Sequence, residues 1–337
     1  MSGRAKKGRL LFVLAALLPL VLLVLSLNIG AYRIPPGDVL ATVADALLPG
    51  GQAEDSAQAA ILFRIRLPRL LLALFAGAAL AVSGASLQAL FRNPLVFEYS
   101  LGISHGAAFG AALSLVVLGR GLSTQVSAFA FAVAAVLAVL SIARKSASQA
   151  VTILLGGVIV SALFQALLSL VELVADPYAL QSLVFWLMGS LAQASWSDLA
   201  LALPVMGAGT AVLVLLRWRL NVLSLGDDEA RALGLDVGRQ KVAVVALATL
   251  VTASATAVTG VIGWVGLMVP HLVRTAFGAD NRKVVPLSAA FGASLLIVAD
   301  DVARSAASFE IPIGILTSVV GIPFFIALLK RSGRTWQ

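Results

Sequence analysis

Apolar residues run through this chain in long stretches separated by short polar gaps. The stretches fall at residues 10–32, 70–90, 101–118, 126–142, 151–174, 199–216 and 242–258, then a shorter one at 261–269 and two more at 285–298 and 313–329. A helix needs about 20 mostly apolar residues to cross the hydrocarbon of a bilayer. The pattern predicts an all-α, polytopic membrane protein with about ten transmembrane helices, and one membrane-spanning domain over residues 1–337. Residues 33–66 break the pattern with Pro35, Pro36, Asp38, Gly50, Gly51, Glu54 and Asp55. They read as an extramembrane loop carrying a short amphipathic surface helix at 39–48. The first stretch follows Arg4, Lys6, Lys7 and Arg9, as in a secretory signal. It is longer than the roughly 7–15 apolar residues of such a signal, and Leu27-Asn28-Ile29 offers no small-x-small cleavage site. A retained first helix is expected.

Composition supports lipid as the solvent. Sixty per cent of the residues are apolar and 12% charged, against roughly 45–50% and about 25% in soluble domains. The net charge of +8 does not point to nucleic acid, because the basic residues sit in the gaps between apolar stretches and no polar domain exists to carry them. They set topology instead. With the N-terminus inside, the inner segments are 4–9, Arg92, Arg144-Lys145, 217–241, 274–283 and 330–334, which hold most of the Lys and Arg. The outer segments hold Asp38, Asp45, Glu54, Asp55, Asp176 and Glu310. This bias predicts both termini in the cytoplasm. Arg33 and Arg120 are isolated exceptions, and Arg64, Arg66, Arg69 and Arg304 also fall outside.

Cysteine is absent, so disulfides, cysteine-ligated zinc, iron–sulfur clusters and thiol nucleophiles are excluded. Two histidines, His105 and His271, do not make a metal site, and no cofactor is expected on this chain. Gly102, Gly106 and Gly110 share one helix face, as do Gly77, Ala81 and Ala85. Such faces allow close helix packing in lipid, or line a path.

The inner segment 217–241 contains Gly226-Asp-Asp-Glu-Ala-Arg-Ala-Leu-Gly234. Ser224 or Asp227 can cap a helix whose first turn holds Asp228 and Glu229, and Gly234 can stop it. A second short helix can start near Asp236. Ala230, Leu233 and Leu235 form a modest apolar face. An isolated short hairpin is marginal in water, so the segment reads as a docking element.

These residues resemble the coupling segment of FecCD-type permeases, the vitamin B12, haem and iron–siderophore importers, whose loop has the form G-[DE]-E-x-A-x-x-L-G. Gly226, Asp227, Ala230, Leu233 and Gly234 match it, and Asp228 departs from it. Arg66-Leu-Pro-Arg69, Gly84 to Leu95, Leu101 to Ala107, Gly263 to Arg274, Pro312 to Ile315 and Gly321 to Phe325 resemble further family motifs in order. Val96-Phe97-Glu98-Tyr99, Asn281 and Asp301 stand where the family pattern differs.

The resemblance implies a type II ABC importer permease fold. It implies a homodimer in the bacterial inner membrane, two cytoplasmic ATPase subunits that carry ATP and Mg, and a periplasmic substrate-binding protein. It implies that Gly226, Asp227, Asp228, Glu229, Ala230, Arg231, Leu233 and Gly234 couple to the ATPase. Arg66, Arg69 and Arg304 would dock the binding protein, and Asn93, Leu95, Ala150 and Thr152 would form a cytoplasmic gate. The substrate class is a metal chelate, or in some relatives an oxyanion such as molybdate. No Walker A pattern occurs, so ATP hydrolysis belongs to another chain. Two other classes differ in what they require. An ion-coupled transporter needs acids at mid-membrane depth, and Glu172, Asp300 and Asp301 read as near span ends. A membrane enzyme needs clustered catalytic groups, which the sequence lacks.

Overall fold

Residue 67 to residue 91 forms the axis around which the other helices gather. A computed structural model describes residues 2–30, 32–47, 56–119, 123–143 and 149–332. The expected charge positions Glu54, Asp55, Arg120, Arg144, Lys145 and Arg334 lie outside them, as do the side chains of residues 4–9.

The chain begins with α1 (Ser2–Ser26) and a surface helix, α2 (Pro36–Leu47). Next come α3 (Ala57–Ala59), a π-helical segment (Ala60–Arg66) and α4 (Leu67–Phe91), which are continuous. A 3-10 turn (Glu98–Leu101) leads into α5 (Ile103–Ala112) and its π-helical extension (Leu113–Val117). Then follow α6 (Thr124–Ala143), α7 (Gln149–Val174), α8 (Pro177–Leu187), α9 (Trp196–Leu215), α10 (Arg217–Leu223) and α11 (Asp227–Ala232). The chain ends with α12 (Val237–Thr259), α13 (Val265–Phe277), α14 (Asn281–Ser305) and α15 (Ile313–Ser332). Among the described residues six helices are long and apolar enough to cross a membrane, and four shorter apolar ones are Leu11–Ser26, Ile103–Val117, Val265–Phe277 and Ile313–Ala327. Together they occupy the ten predicted stretches.

Two boundaries differ from the sequence reading. The second span starts at Ala57 rather than near residue 70, so residues 57–66 are helix and not loop. Arg64, Arg66 and Arg69 interrupt the apolar run there, but internal partners of Arg66 and Arg69 let the helix continue. Ser56 caps it, accepting a hydrogen bond from the Ala59 amide at 3.1 Å. The outer segment after α7 holds α8, whose N-cap Asp176 accepts from the Tyr178 and Ala179 amides at 2.9 and 3.1 Å. Pro177 suits the first helical position, where no amide is needed.

Lipid is as apolar as a leucine side chain, so these helices associate through close packing and polar contacts. α4 packs on α14, α12, α13 and α9, and is 78% buried in its most apolar window, against 28% for α9. Gly77 and Gly292 set the α4–α14 approach. A Cβ built on Gly77 would stand 2.2 Å from the Gly292 carbonyl oxygen, and one on Gly292 would stand 2.3 Å from that of Gly77. α5, α6 and α7 form a second group, joined to the first through α12.

Candidate functional site

At one end of the bundle α10 and α11 form a short elbow. Gly226 is the N-cap of α11, at φ +152°, and no side chain caps it. The expected caps, Ser224 and Asp227, do other things. Ser224 donates to the Asn221 carbonyl at 2.7 Å, and Asp227 is the first residue inside the helix. Its Oδ2 accepts from Lys241 Nζ at 2.6 Å, and its Oδ1 lies 4.0 Å from Arg92. The Lys241 hydrogen bond holds Asp227 below the usual carboxylate range, and Arg92 and Arg231 add to the effect. Gly234, at φ +84°, stops the helix as predicted. Asp236 then caps not a short helix but α12 itself, accepting from the Arg239 amide at 3.1 Å.

The elbow is anchored on one side and bare on the other. Ala230 is fully buried, while Asp228, Glu229, Arg231 and Leu233 are exposed, Leu233 by 61%. Asn221 ties α10 to the start of α14, donating to Asp280 at 2.7 Å and accepting from the Asn281 amide at 2.7 Å. Asp280 is held well below the usual carboxylate range, chiefly by Arg282. Arg92 occupies the left-handed C-cap of α4, at φ +52°, directly before Asn93-Pro94-Leu95. Thus one aspartate touches both the base of α12 and the turn that ends α4. In that turn Asn93 Oδ1 accepts from the Leu95 amide at 2.9 Å, and the Leu95 side chain is exposed. Ala150 and Thr152 lie in the first turn of α7, both half-buried.

A cavity of about 540 Å³ opens between α15, the end of α8 and the segment joining α12 to α13. Its walls include Tyr99, Met188, Val261, Gly263, Ser318 and Ile322. Irregular backbone in a membrane protein belongs where it is buried or lines a cavity. Here the Ser190 amide donates to the Thr259 carbonyl at 2.8 Å, and the Ile313 amide to that of Gly189 at 2.9 Å. Trp264 takes φ +71° at the N-cap of α13.

The small-residue face of α5 packs rather than lining this cavity. A Cβ on Gly106 would stand 2.5 Å from the Phe131 carbonyl of α6, and one on Gly110 would stand 2.4 Å from that of Ser127. Gly102 sits at the N-cap of α5 with φ +77°, against Ser161 of α7.

The arginines expected to face a partner are instead drawn into the bundle. Arg66, Arg69 and Arg304 are exposed by 4%, 5% and 8%. Arg66 donates to the carbonyls of Leu27 and Tyr32. Arg69 bonds Asp300 at 2.7 Å and Glu310 at 2.7 Å. Arg304 bonds Asp301, lies 3.5 Å from Asp300 and donates to the Ser26 carbonyl at 2.9 Å. Ser26 in turn donates to Asp301 at 2.5 Å. The network laces α1, α4 and α14 together with the segment before α15. Arg69 bridges α4 to α14 through Asp300, a role the sequence pattern does not signal.

Two further features escaped the sequence reading. Arg274 donates to Gln88 and, at 3.3 Å, to the Ala85 carbonyl, while Gln88 donates to that of Gly266 at 3.1 Å, fastening α13 to α4. Glu98, taken only as a departure from a motif, is buried beside the middle of α4. A buried acid therefore lies against the middle of α4. Nothing local signals it, because the chain folds back from the inner end of α4 over residues 92–97.

Comparison with known proteins places this geometry. The FecCD transport family matches residues 17–331. A molybdate import system permease protein, MolB of Haemophilus influenzae, is 40% identical over 96% of this chain and 97% of its own length. The cobalamin import permease BtuC of Halobacterium salinarum is 43% identical over 79% of this chain and 72% of its own. The hemin transport permease HmuU of Yersinia pestis is 42% identical over 80% and 83%. A solved structure described as an inward-facing metal-chelate type ABC transporter superposes with a TM-score of 0.84 at 36% identity, covering 95% of this chain and 99% of that one.

Proposed function

The chain belongs to the FecCD transport family of ABC importer permeases, and we propose that it carries a metal chelate into the cytoplasm as half of a homodimeric path. The observation that carries this reading is the elbow at α11. It presents Asp228, Glu229, Arg231 and Leu233 to the outside while Asp227 ties it to α12 and to the end of α4. A short helix with a bare face and a braced back suits a motor docked against it. Two ATPase subunits carrying ATP and Mg bind there, one per copy. Arg92, Arg217, Arg219, Arg231, Arg239 and Arg282 belong to the sequence segments that flank this end, which supports placing it, and both termini, in the cytoplasm of a bacterial inner membrane.

Motion of α11 passes to the turn at Asn93 and Leu95, which with Ala150 and Thr152 closes the path toward the cytoplasm. A periplasmic binding protein delivers substrate at the opposite end. Arg66, Arg69 and Arg304 are engaged internally there, so their part is to brace the outer ends of α1, α4 and α14 under that protein.

An iron chelate is the first substrate reading, because the cavity is walled largely by apolar groups with Tyr99 and Ser318 as its hydroxyls. Such walls suit a metal already satisfied by its own chelator. Molybdate is the second reading, favoured by a molybdate permease that is 40% identical over almost its whole length. The test pairs the complex with its binding protein in proteoliposomes and compares ATPase stimulation by ferric chelates and by molybdate. Stimulation by a chelate alone supports the first reading, and stimulation by molybdate alone replaces it with the second. Leu233→Asp is expected to abolish ATPase co-purification while leaving thermal unfolding unchanged. Retained co-purification would remove α11 as the docking element.

A further inference from the structure

Glu98 is an acid in a place built for an apolar side chain. It is 1% exposed, and neither carboxyl oxygen has a hydrogen-bond partner. Its Oε2 lies against α13, where a Cβ on Gly266 would stand 2.5 Å from it and 3.0 Å from the Leu80 carbonyl. Leu80 is at the middle of α4, so Glu98 sits about halfway through the membrane-embedded part of the bundle.

No countercharge is on hand. The turn itself adds Tyr99, and only the backbone amide of Glu98 faces its own carboxyl. Of the helices packed around it, α6 carries no titratable residue, and α7 carries only Glu172, near its far end. α4 carries Arg69 at its outer end. α13 carries His271 and Arg274, a turn or more beyond Gly266, and Arg274 is engaged by Gln88. α5 carries His105, whose Nδ1 is buried without a partner and whose ring meets Tyr99 edge-on at 5.7 Å. An ionised carboxylate without partners in such surroundings is so costly that the group takes up a proton instead.

The position also has a way out. Tyr99, the next residue, lines the cavity beside α15 and packs its ring 3.4 Å from the site of a Cβ on Gly263. The turn is held to α7 by a 3.5 Å hydrogen bond from Ser161 to the Tyr99 carbonyl, and Ser100 presses on Gly157. A shift of this turn brings cavity water to Glu98.

We propose that Glu98 is a proton-binding site within the membrane: it holds a proton while the turn is packed as here and releases it to cavity water when the turn moves. The protonation rests on the burial alone. Its coupling to opening rests on the permease reading. On release the carboxyl O–H bond breaks, the electron pair stays on the carboxylate, and water takes the proton.

The first test uses the full chain in detergent, without partners. Infrared spectra near pH 7 are expected to show a carboxylic-acid carbonyl band that shifts in heavy water and is missing in Glu98→Gln. A hydrophobic carbodiimide, which labels protonated carboxyls in apolar surroundings, is expected to modify Glu98 of the unaltered protein, less so as pH rises. This second readout stands even if the variant does not fold. Absence of both signals overturns the site. In the assembled transporter Glu98→Gln is expected to keep ATP-driven uptake but flatten its dependence on pH. An unchanged pH profile overturns the coupling. Absence of any ATPase partner overturns the permease reading and leaves the infrared result intact.

Discussion

Single residues differ in what their removal exposes. Lys241 is buried and Asp227 partly solvated, with side-chain exposures of 7% and 35%. Removing the aspartate strands a buried ammonium, whereas removing the lysine frees a carboxylate that water can reach. Asp227→Ala is therefore expected to cost about 1–3 kcal/mol of stability, as an unsatisfied buried charge does, and Lys241→Met distinctly less. Thermal unfolding of the two variants checks the order. The pair also has a defined pH response. The folded carboxyl titrates below its ordinary value, so its contribution is complete above about pH 4 and is lost as pH falls through the folded value. The stability gap between the parent and Asp227→Asn should be constant from pH 7 to pH 5 and close below about pH 4. At the other end of the molecule, Asp300 is fully buried between Arg69 and Arg304. Asp300→Ala leaves two buried guanidinium groups undercompensated and is expected to cost about 3–5 kcal/mol.

At the level of helices, close approach rather than apolar burial holds the bundle together. A methyl group at Gly77 collides with the backbone of α14, and neither chain can give way locally. Gly77→Ala is expected to lower stability by about 1–3 kcal/mol or more, as overpacking does, with denaturation in detergent as the measurement. Gly37→Ala, where nothing lies within 4 Å, serves as the neutral comparison. The sequence pattern announced this small-residue face, and that of Gly102, Gly106 and Gly110, because residues spaced by four share a side of a helix. It did not announce which helix each face would meet. It placed the second span late because Arg64, Arg66 and Arg69 look like surface charges. Only the fold supplies Asp300, Glu310 and the Leu27 and Tyr32 carbonyls that absorb two of them. It foresaw a helix at Asp227 stopped at Gly234 but gave its cap to a side chain, where the structure uses glycine backbone.

Across the whole molecule the number of spans was legible, because hydropathy over 20 residues is a local property. The re-entry of residues 92–98 to mid-depth was not. It depends on Gly266 leaving room for a glutamate that lies far away in the sequence. What emerges is a centre packed around α4, one end laced by ion pairs, and an opposite end where one aspartate connects an exposed helix to two others. Such an arrangement suits the proposed reading, in which force reaches the chain from an ATPase subunit. The most direct test reconstitutes the complete complex in liposomes with substrate-loaded binding protein outside. The account predicts that substrate accumulates only with ATP inside, that the binding protein stimulates hydrolysis, and that Leu233→Asp abolishes both. Accumulation that ignores ATP but collapses with an uncoupler would contradict it.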